Sequence, residues 1–306
     1  MKVMRRSRWL ARLAAMLVVG VAGLVAAASA PAQAGIVFQS HVVASWGFNN
    51  EGDLGDGTTT DRSLYGDIKL ANDVVQVAAG YYFGLALRSD GTVWAWGNND
   101  HGQLGNGTTV STMTPVKVTG LSHVTGIAAG WDAAVATATN GISAAASVWT
   151  WGANDHGQLG DGTLADHLTP ERITGIGTVY LAGVTAGLWT GAVLGTDGSV
   201  WGWGDDSVGQ LANAPSSSPV TRPVKMLAAG SGITQLSAGH GHMLALKSNG
   251  TVLAWGGNQG GQLGIGSKAP VTGPVQVTGL TAATQVAAGG RAFSLAIHTV
   301  PYLVGL

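Results

Sequence analysis

The chain has 306 residues, with 15 basic and 16 acidic residues, 49 glycines and no cysteine. That length suits one domain with a substantial core, and the missing cysteine excludes a disulfide framework. Glycine is abundant without a collagen period, which points to many short strands joined by tight turns.

Residues 1–34 read as a secretory leader. Lys2, Arg5, Arg6, Arg8 and Arg12 form a positive start, Ala14 to Ala28 is an apolar run short for a membrane span, and Ala32-Gln33-Ala34 is a small-x-small cleavage triplet. An uncleaved anchor helix is the competing reading. Arg5-Arg6 lacks the apolar pair of a twin-arginine signal, so general export is favoured. Cleavage after Ala34 removes five basic residues and no acidic ones, which leaves a net charge of −6. A nucleic-acid binder should show a basic stripe, so no nucleic-acid partner is expected. The remaining domain, residues 35–306, is expected to be secreted and free of the membrane.

The approach Gly35 to Ser45 leads into Trp46-Gly47, the first of five Trp-Gly pairs that recur at one repeat position. The others are Trp96-Gly97, Trp151-Gly152, Trp203-Gly204 and Trp255-Gly256, at intervals of 50, 55, 52 and 52 residues. A fixed period of that length made of strand-like pieces signals a repeat array such as a propeller. Each full repeat holds four pieces. The first is a small-residue strand ending in glycine, as in Val75 to Gly80, with counterparts ending at Gly130, Gly187, Gly239 and Gly289. A second strand follows, Gly84 to Arg88 or Met243 to Lys247, and then a turn: Asp90-Gly91, Asn140-Gly141, Asp197-Gly198 or Asn249-Gly250. These pairs supply the positive φ angles of tight hairpins. The second repeat carries an insertion there, Ile142 to Ser147.

The third piece is Trp-x-Trp-Gly. Strand side chains alternate, so Trp94 and Trp96 share one face and Val93 and Ala95 the other. Because the position repeats, its tryptophans are expected to pack between blades. A fourth strand is expected near Pro115, Pro170, Pro223 and Pro274, where proline fits an outer edge. Four antiparallel strands per repeat make a propeller blade. The chain starts on the second half of a repeat and ends on a first half, Gln285 to Ile297. Joined, these halves would complete a blade and close the ring. The expected fold is therefore all-β: a five-bladed β-propeller of four-stranded blades, its closing blade shared between the two ends of the chain.

The blade pattern, V-A-A-G, then S-L-A-L, D-G-T-V-W-A-W-G and N-x-x-G-Q-L-G, resembles that of the regulator of chromosome condensation family. Residues 75–109 match it nearly throughout and the resemblance covers 41–298. It implies a propeller with a split closing blade. Two departures stand out: well-known members have seven blades where five are counted here, and the third repeat reads Gln210-Leu211-Ala212-Asn213-Ala214 where glycine is usual, so an altered loop is expected. Family functions include nucleotide exchange on a small GTPase with chromatin binding, which the leader and acidic balance oppose. Ultraviolet-B photoreceptors use tryptophan clusters that this chain lacks. Secreted bacterial propellers with shorter, more numerous repeats that inhibit class A β-lactamases are the parallel by compartment.

Strand parity places the site. Loops between strands one and two, and between three and four, exit on one face of the blade, and the Asp-Gly hairpins on the other. The first set of loops offers Tyr81, Tyr82, Phe83, Trp131, Asp132, Trp189, His240, His242 and Arg291. The second offers Phe48, Asp100, His101, Asp155, His156, Asp205 and Asp206. Variation at fixed positions suits recognition, and aromatic anchors among polar groups are the usual hot-spot composition. The competing reading is that some rings plug the axis. Asp100-His101 and Asp155-His156 sit at equivalent positions, which favours loop geometry over acid–base catalysis. His240 and His242 with Asp205 or Asp206 fall short of a zinc site's convergent ligands, and Asn98-x-Asp100-x-Gly102 lacks the closing Glu of a calcium loop. No catalytic residue, metal ligand or cofactor is assigned.

The first expectation is a secreted binding module whose rim recognises an extracytoplasmic protein partner, one form being inhibition of a secreted or cell-wall enzyme such as a class A β-lactamase. A cell-wall polysaccharide-binding module is the alternative, since the near-identical loops 98–105 and 153–160 could bind a repeating ligand. A lyase or hydrolase comes third, and the chain is read as a non-enzyme.

Overall fold

The computed structural model describes residues 41–70, 73–139, 146–177 and 179–300, all within a compact unit, Ser40–Leu306. The leader, the entry residues 35–40 and most of the insertion after Asn140 lie outside the described residues.

Among the described residues twenty strands form an antiparallel meander. A half-blade comes first, β1 (Ala44–Gly47) and β2 (Arg62–Asp67). Four complete blades follow: β3 (Val74–Ala79), β4 (Phe83–Arg88), β5 (Val93–Gly97) and β6 (Thr112–Lys117); β7 (Val124–Ala129), β8 (Ala133–Ala138), β9 (Ser147–Gly152) and β10 (His167–Arg172); β11 (Leu181–Ala186), β12 (Thr190–Gly195), β13 (Val200–Gly204) and β14 (Val220–Leu227); β15 (Ile233–Ala238), β16 (His242–Lys247), β17 (Val252–Gly256) and β18 (Val271–Gln276). A second half-blade, β19 (Ala283–Ala288) and β20 (Ser294–His298), ends the described chain.

Alternation along each strand decides where the core sits. Within the first full blade Leu85, Leu87, Val93 and Ala95 point one way and pack on Ile127, Ala134, Ala136 and Trp151 of the next blade. Ala86 and Trp96 point back onto Val43, Ile68 and Leu70 of the first half-blade. Apolar layers between blades are thus the core, as the repeat reading requires. The second tryptophan of each Trp-x-Trp-Gly strand locks these layers. The Nε1 groups of Trp96, Trp151, Trp203 and Trp255 donate to the carbonyls of Asp53, Gln103, Gln158 and Gln210 at 2.8, 2.9, 2.8 and 2.9 Å, each in the long loop of the preceding blade or half-blade. Inner strands end in glycine because backbones converge there: a Cβ on Gly130 would stand 2.6 Å from the Gly187 carbonyl oxygen.

Three expectations are refined. In the described hairpins the glycine of the pair supplies the expected positive φ, 76° at Gly91, 83° at Gly198 and 80° at Gly250; Asp90 accepts from the Thr92 N–H at 2.9 Å and so fixes the turn with its side chain. The third repeat's loop is altered only beyond its first turn. Ala212 adopts φ 59° in place of the usual glycine, and its N–H keeps that turn by donating to Gly209 at 3.2 Å; farther on, the Ser216 N–H closes the loop onto the Asp206 carbonyl at 3.0 Å.

The third correction concerns closure. Among the described residues β1–β2 and β19–β20 are separate two-stranded sheets, and no ladder joins β20 to β1. The described residues thus make four complete blades and two half-blades, and the expected shared blade is not seen among them as one sheet. Each half is instead pinned to its own neighbour: Ile68 and Leu70 against Val74 and Trp96 at one end, Ala283 and Val286 against Leu244 and Leu246 at the other.

Candidate functional site

The short loops after β3, β7, β11 and β15 share a face with the long loops after β5, β9, β13 and β17. Backbone bonds tie them together within each blade: Asn98 N–H to Tyr82 O (2.8 Å), Ala153 to Asp132 (2.8 Å), Asp205 to Trp189 (2.9 Å) and Gly257 to Gly241 (2.7 Å). Strand direction alone gives this outcome, so the expected common rim is present.

Apart from the one after β13, each long loop, including that after β1, is built around a buried Asn three residues past the Trp of its Trp-Gly pair. The Oδ1 of Asn99 accepts from the Leu104 N–H at 2.9 Å, and its Nδ2 donates to the carbonyls of Thr108 at 2.9 Å and Val110 at 3.2 Å. Asn49, Asn154 and Asn258 do the same work in their loops. Sequence reasoning missed this pin, although its spacing from each Trp-Gly pair was the signal.

On that frame the rim carries a partly exposed aromatic band. Phe48 lies 5.8 Å from Tyr82, Tyr82 lies 4.0 Å from Tyr81, and Tyr81 stacks on Trp131 at 3.6 Å and 13°. Farther along, His156 stacks on Trp189 at 3.9 Å and 14°, with His240 6.2 Å beyond. A cleft of about 510 Å³ opens between Trp131 and Trp189, with Asp205, His240, Gln259 and Arg291 also on its walls. A smaller one of about 340 Å³ lies where the inner strands end, beside Tyr81, Gly130, Gly187 and Gly239.

Acidic groups surround the band. Asp100 and Asp155 are exposed. Partial burial pushes the Asp132 carboxyl up, and its Oδ1 accepts from Gln103 at 3.3 Å. His101 Nδ1 lies 2.8 Å from Asp166 Oδ2 on the next blade, a bond that raises the His101 pKa. His156, its repeat counterpart, lies 3.6 Å from Asp155 and lies flat against Trp189. Two nearly identical loops are therefore put to different uses. Arg88, Lys117, Arg172 and Lys247 end their strands on the opposite face.

Three expected rim residues are not on the rim. Phe83 is the first residue of β4 and belongs to the core between blades, because its side chain points inward from the strand. His242 fills the same repeat position in β16; it is buried, its pKa is pushed down to about 4 by burial, and its Nε2 lies 3.0 Å from Ser294 Oγ. Asp206 takes the place of the pinning Asn, its Oδ1 accepting from Leu211 at 2.9 Å, and burial pushes its carboxyl up to about 6. His240, His242 and the two aspartates therefore do not converge on one point. Among the described residues no group of three or more His, Asp or Glu side chains is placed to hold a metal.

Comparison with known proteins fits this architecture. The RCC1-like domain model matches residues 9–305. The ultraviolet-B receptor UVR8 of Arabidopsis thaliana is 31% identical over 229 residues, 73% of this chain and 51% of the receptor. The probable E3 ubiquitin-protein ligase HERC6 of Homo sapiens is 31% identical over 271 residues, 86% of this chain and 21% of the ligase. Human WBSCR16 superposes with a TM-score of 0.69 at 26% identity, covering 80% of this chain and 65% of that one. Yeast RCC1 (Prp20) bound to Kap60 does so at 0.72 and 24%, covering 83% and 62%, a likeness of fold. The chain spans about half of the receptor's length and a fifth of the ligase's.

Proposed function

The chain belongs to the RCC1-like domain family, and from that premise we propose that it is a protein-binding module whose aromatic and acidic rim recognises a partner carrying basic and apolar groups. One observation carries this reading. A repeating frame, pinned identically by Asn49, Asn99, Asn154 and Asn258, displays unlike side chains at equivalent places on a single face. Packing would impose sameness there, and the exposed Phe48 and Tyr81 with the stacked Trp131 and Trp189 are anchors of the kind that dominate interfaces. Acidic neighbours steer and orient a partner of opposite charge.

Among solved relatives, Prp20 is bound to Kap60, and its binding to Gsp1p and histones is described. The leader read at residues 1–34 adds to the proposal that this chain meets its partner outside the cytoplasm, where inhibition of an extracytoplasmic enzyme is one form the binding takes. A repeating glycan would need equivalent sites. The different surroundings of His101 and His156 do not offer them.

The test is affinity capture of extracytoplasmic proteins with the wild type, with Tyr82→Ala/Trp131→Ala/Trp189→Ala, and with Asn249→Ala on the opposite face. The expected result is a partner held equally by the wild type and the Asn249 variant, and at least about tenfold less by the rim variant. Equal capture by all three overturns the reading.

A further inference from the structure

The short loops at the rim differ in one place. In four repeats the glycine that follows the inner strand donates to the carbonyl three residues on: Gly80 to Phe83, Gly130 to Ala133, Gly187 to Thr190 and Gly239 to His242, at 2.8–2.9 Å. In the last repeat Gly289 donates to Phe293, four residues on, at 3.0 Å. That loop is one residue longer and carries Arg291, the only arginine or lysine in these five loops. Arg291 is exposed and stands on the walls of both clefts, together with Trp131, His240 and Gly290.

The backbone opens at the same place. The Tyr81 N–H donates to the Trp131 carbonyl of the next blade at 3.1 Å, and the Trp131 N–H donates to that of Leu188 at 3.4 Å. By repeat position the next two steps would run from Leu188 to His240 and from His240 to Gly290, and neither bond is made among the described residues. Leu188 is buried. Its N–H is therefore a sheltered donor with no protein acceptor, which is uncommon for a backbone group. Leu188, His240 and Gly290 all line the smaller cleft.

The chemistry of that cleft is opposite to the rest of the rim. No aspartate or glutamate lies on its walls, and Gly130, Gly187 and Gly239 leave main chain to form much of them. In the larger cleft the one carboxylate, Asp205, already accepts from Ser207 Oγ at 2.8 Å and from Gln210 Nε2 at 2.6 Å. A guanidinium beside free backbone N–H groups is the donor set of an anion site. The walls also select the anion. Tyr81 covers one face of Trp131 at 3.6 Å and 13°, which leaves the other indole face for a ligand. A volume of about 340 Å³ is at the small end of ligand pockets, room for a single ring and its acid group.

We propose that this mouth binds a small aromatic acid, with Arg291 and the Leu188 and His240 N–H groups holding the carboxylate and Trp131 meeting the ring. The proposal goes beyond the partner reading. That reading rests on acidic groups attracting basic ones, and Arg291 repels the same basic groups.

The test is calorimetric titration of the full chain with N-acetylphenylalanine, with its C-terminal amide and with inorganic phosphate. The acid should bind at millimolar concentration or below, and the amide and phosphate at least about tenfold more weakly. Arg291→Gln, at an exposed position, should weaken the acid at least about tenfold with an unchanged circular dichroism spectrum, whereas Asn249→Ala on the opposite face should leave it unchanged. Equal binding of acid and amide, equal binding of acid and phosphate, no binding of the acid at millimolar concentration, or affinity untouched by Arg291→Gln would each overturn the proposal. The probe is a small molecule, so this site and the capture of a protein partner can fail separately.

Discussion

Replacing Trp151 by phenylalanine removes one of the four indole–carbonyl locks between sheets. The indole is fully buried, and its Nε1 lies 2.9 Å from the Gln103 carbonyl of the preceding blade. The substitution strands that carbonyl in the apolar layer and leaves a void where the pyrrole edge lay. An orphaned buried acceptor costs about 1–3 kcal/mol, and with the void the loss should reach roughly 2–4 kcal/mol. Trp46→Phe changes the same repeat position, where the side chain is exposed; about 0.5 kcal/mol or less is expected. Urea titrations of both variants, run side by side on dilute protein and compared by midpoint, separate the two cases without assuming that a row of blades unfolds in one step. A fall in midpoint as large for Trp46→Phe as for Trp151→Phe would refute the lock.

Three further outcomes follow from buried or paired titratable groups. Asp206, raised to about 6 from 3.8, holds a proton in the native state across that interval, so stability falls as pH rises through it. Asp206→Asn should therefore gain about 1–3 kcal/mol at pH 7 and nothing below pH 4 in thermal melts; an equal gain at both would contradict the burial cause. His242, lowered to about 4 from 6.5, stays neutral in the fold, so stability is lost as pH falls through that range. His242→Phe, which restores the residue found at positions 83 and 293, should flatten this acid limb, and an unchanged limb would count against it. His101 is raised by its bond to Asp166, so its share of stability is present below pH 6.5 and lost above its own titration point. An NMR titration should show the His101 midpoint above 6.5 in the wild type and lowered in Asp166→Asn; identical midpoints would exclude the bond.

The blade was legible because its rules are local and repeated. Trp96 and Trp151 recur at one strand position with alternating apolar partners, so their packing role between blades follows from parity alone. The common rim was legible for the same reason, since strand direction fixes which loops share a face. Phe83 and His242 were misread as rim because each begins a strand directly after a loop, where one residue of shift exchanges solvent for core. Asp206 was read as a rim residue, although its spacing from Trp203 equals that of Asn99 from Trp96 and marks it as a loop pin. Closure could not be read in this way. Strand counting shows that two halves make a blade, but the angle between blades is set by side-chain volumes in layers such as Leu85–Ile127–Trp151, which pattern does not encode.

The central claim is that a partner is met at one rim. Photo-crosslinking from a reactive residue placed at Tyr82, against one placed at Asn249 on the opposite face, tests it most directly. Partner adducts from position 82 and none from 249 are the expected result, and adducts from 249 alone, or equally from both, would contradict it.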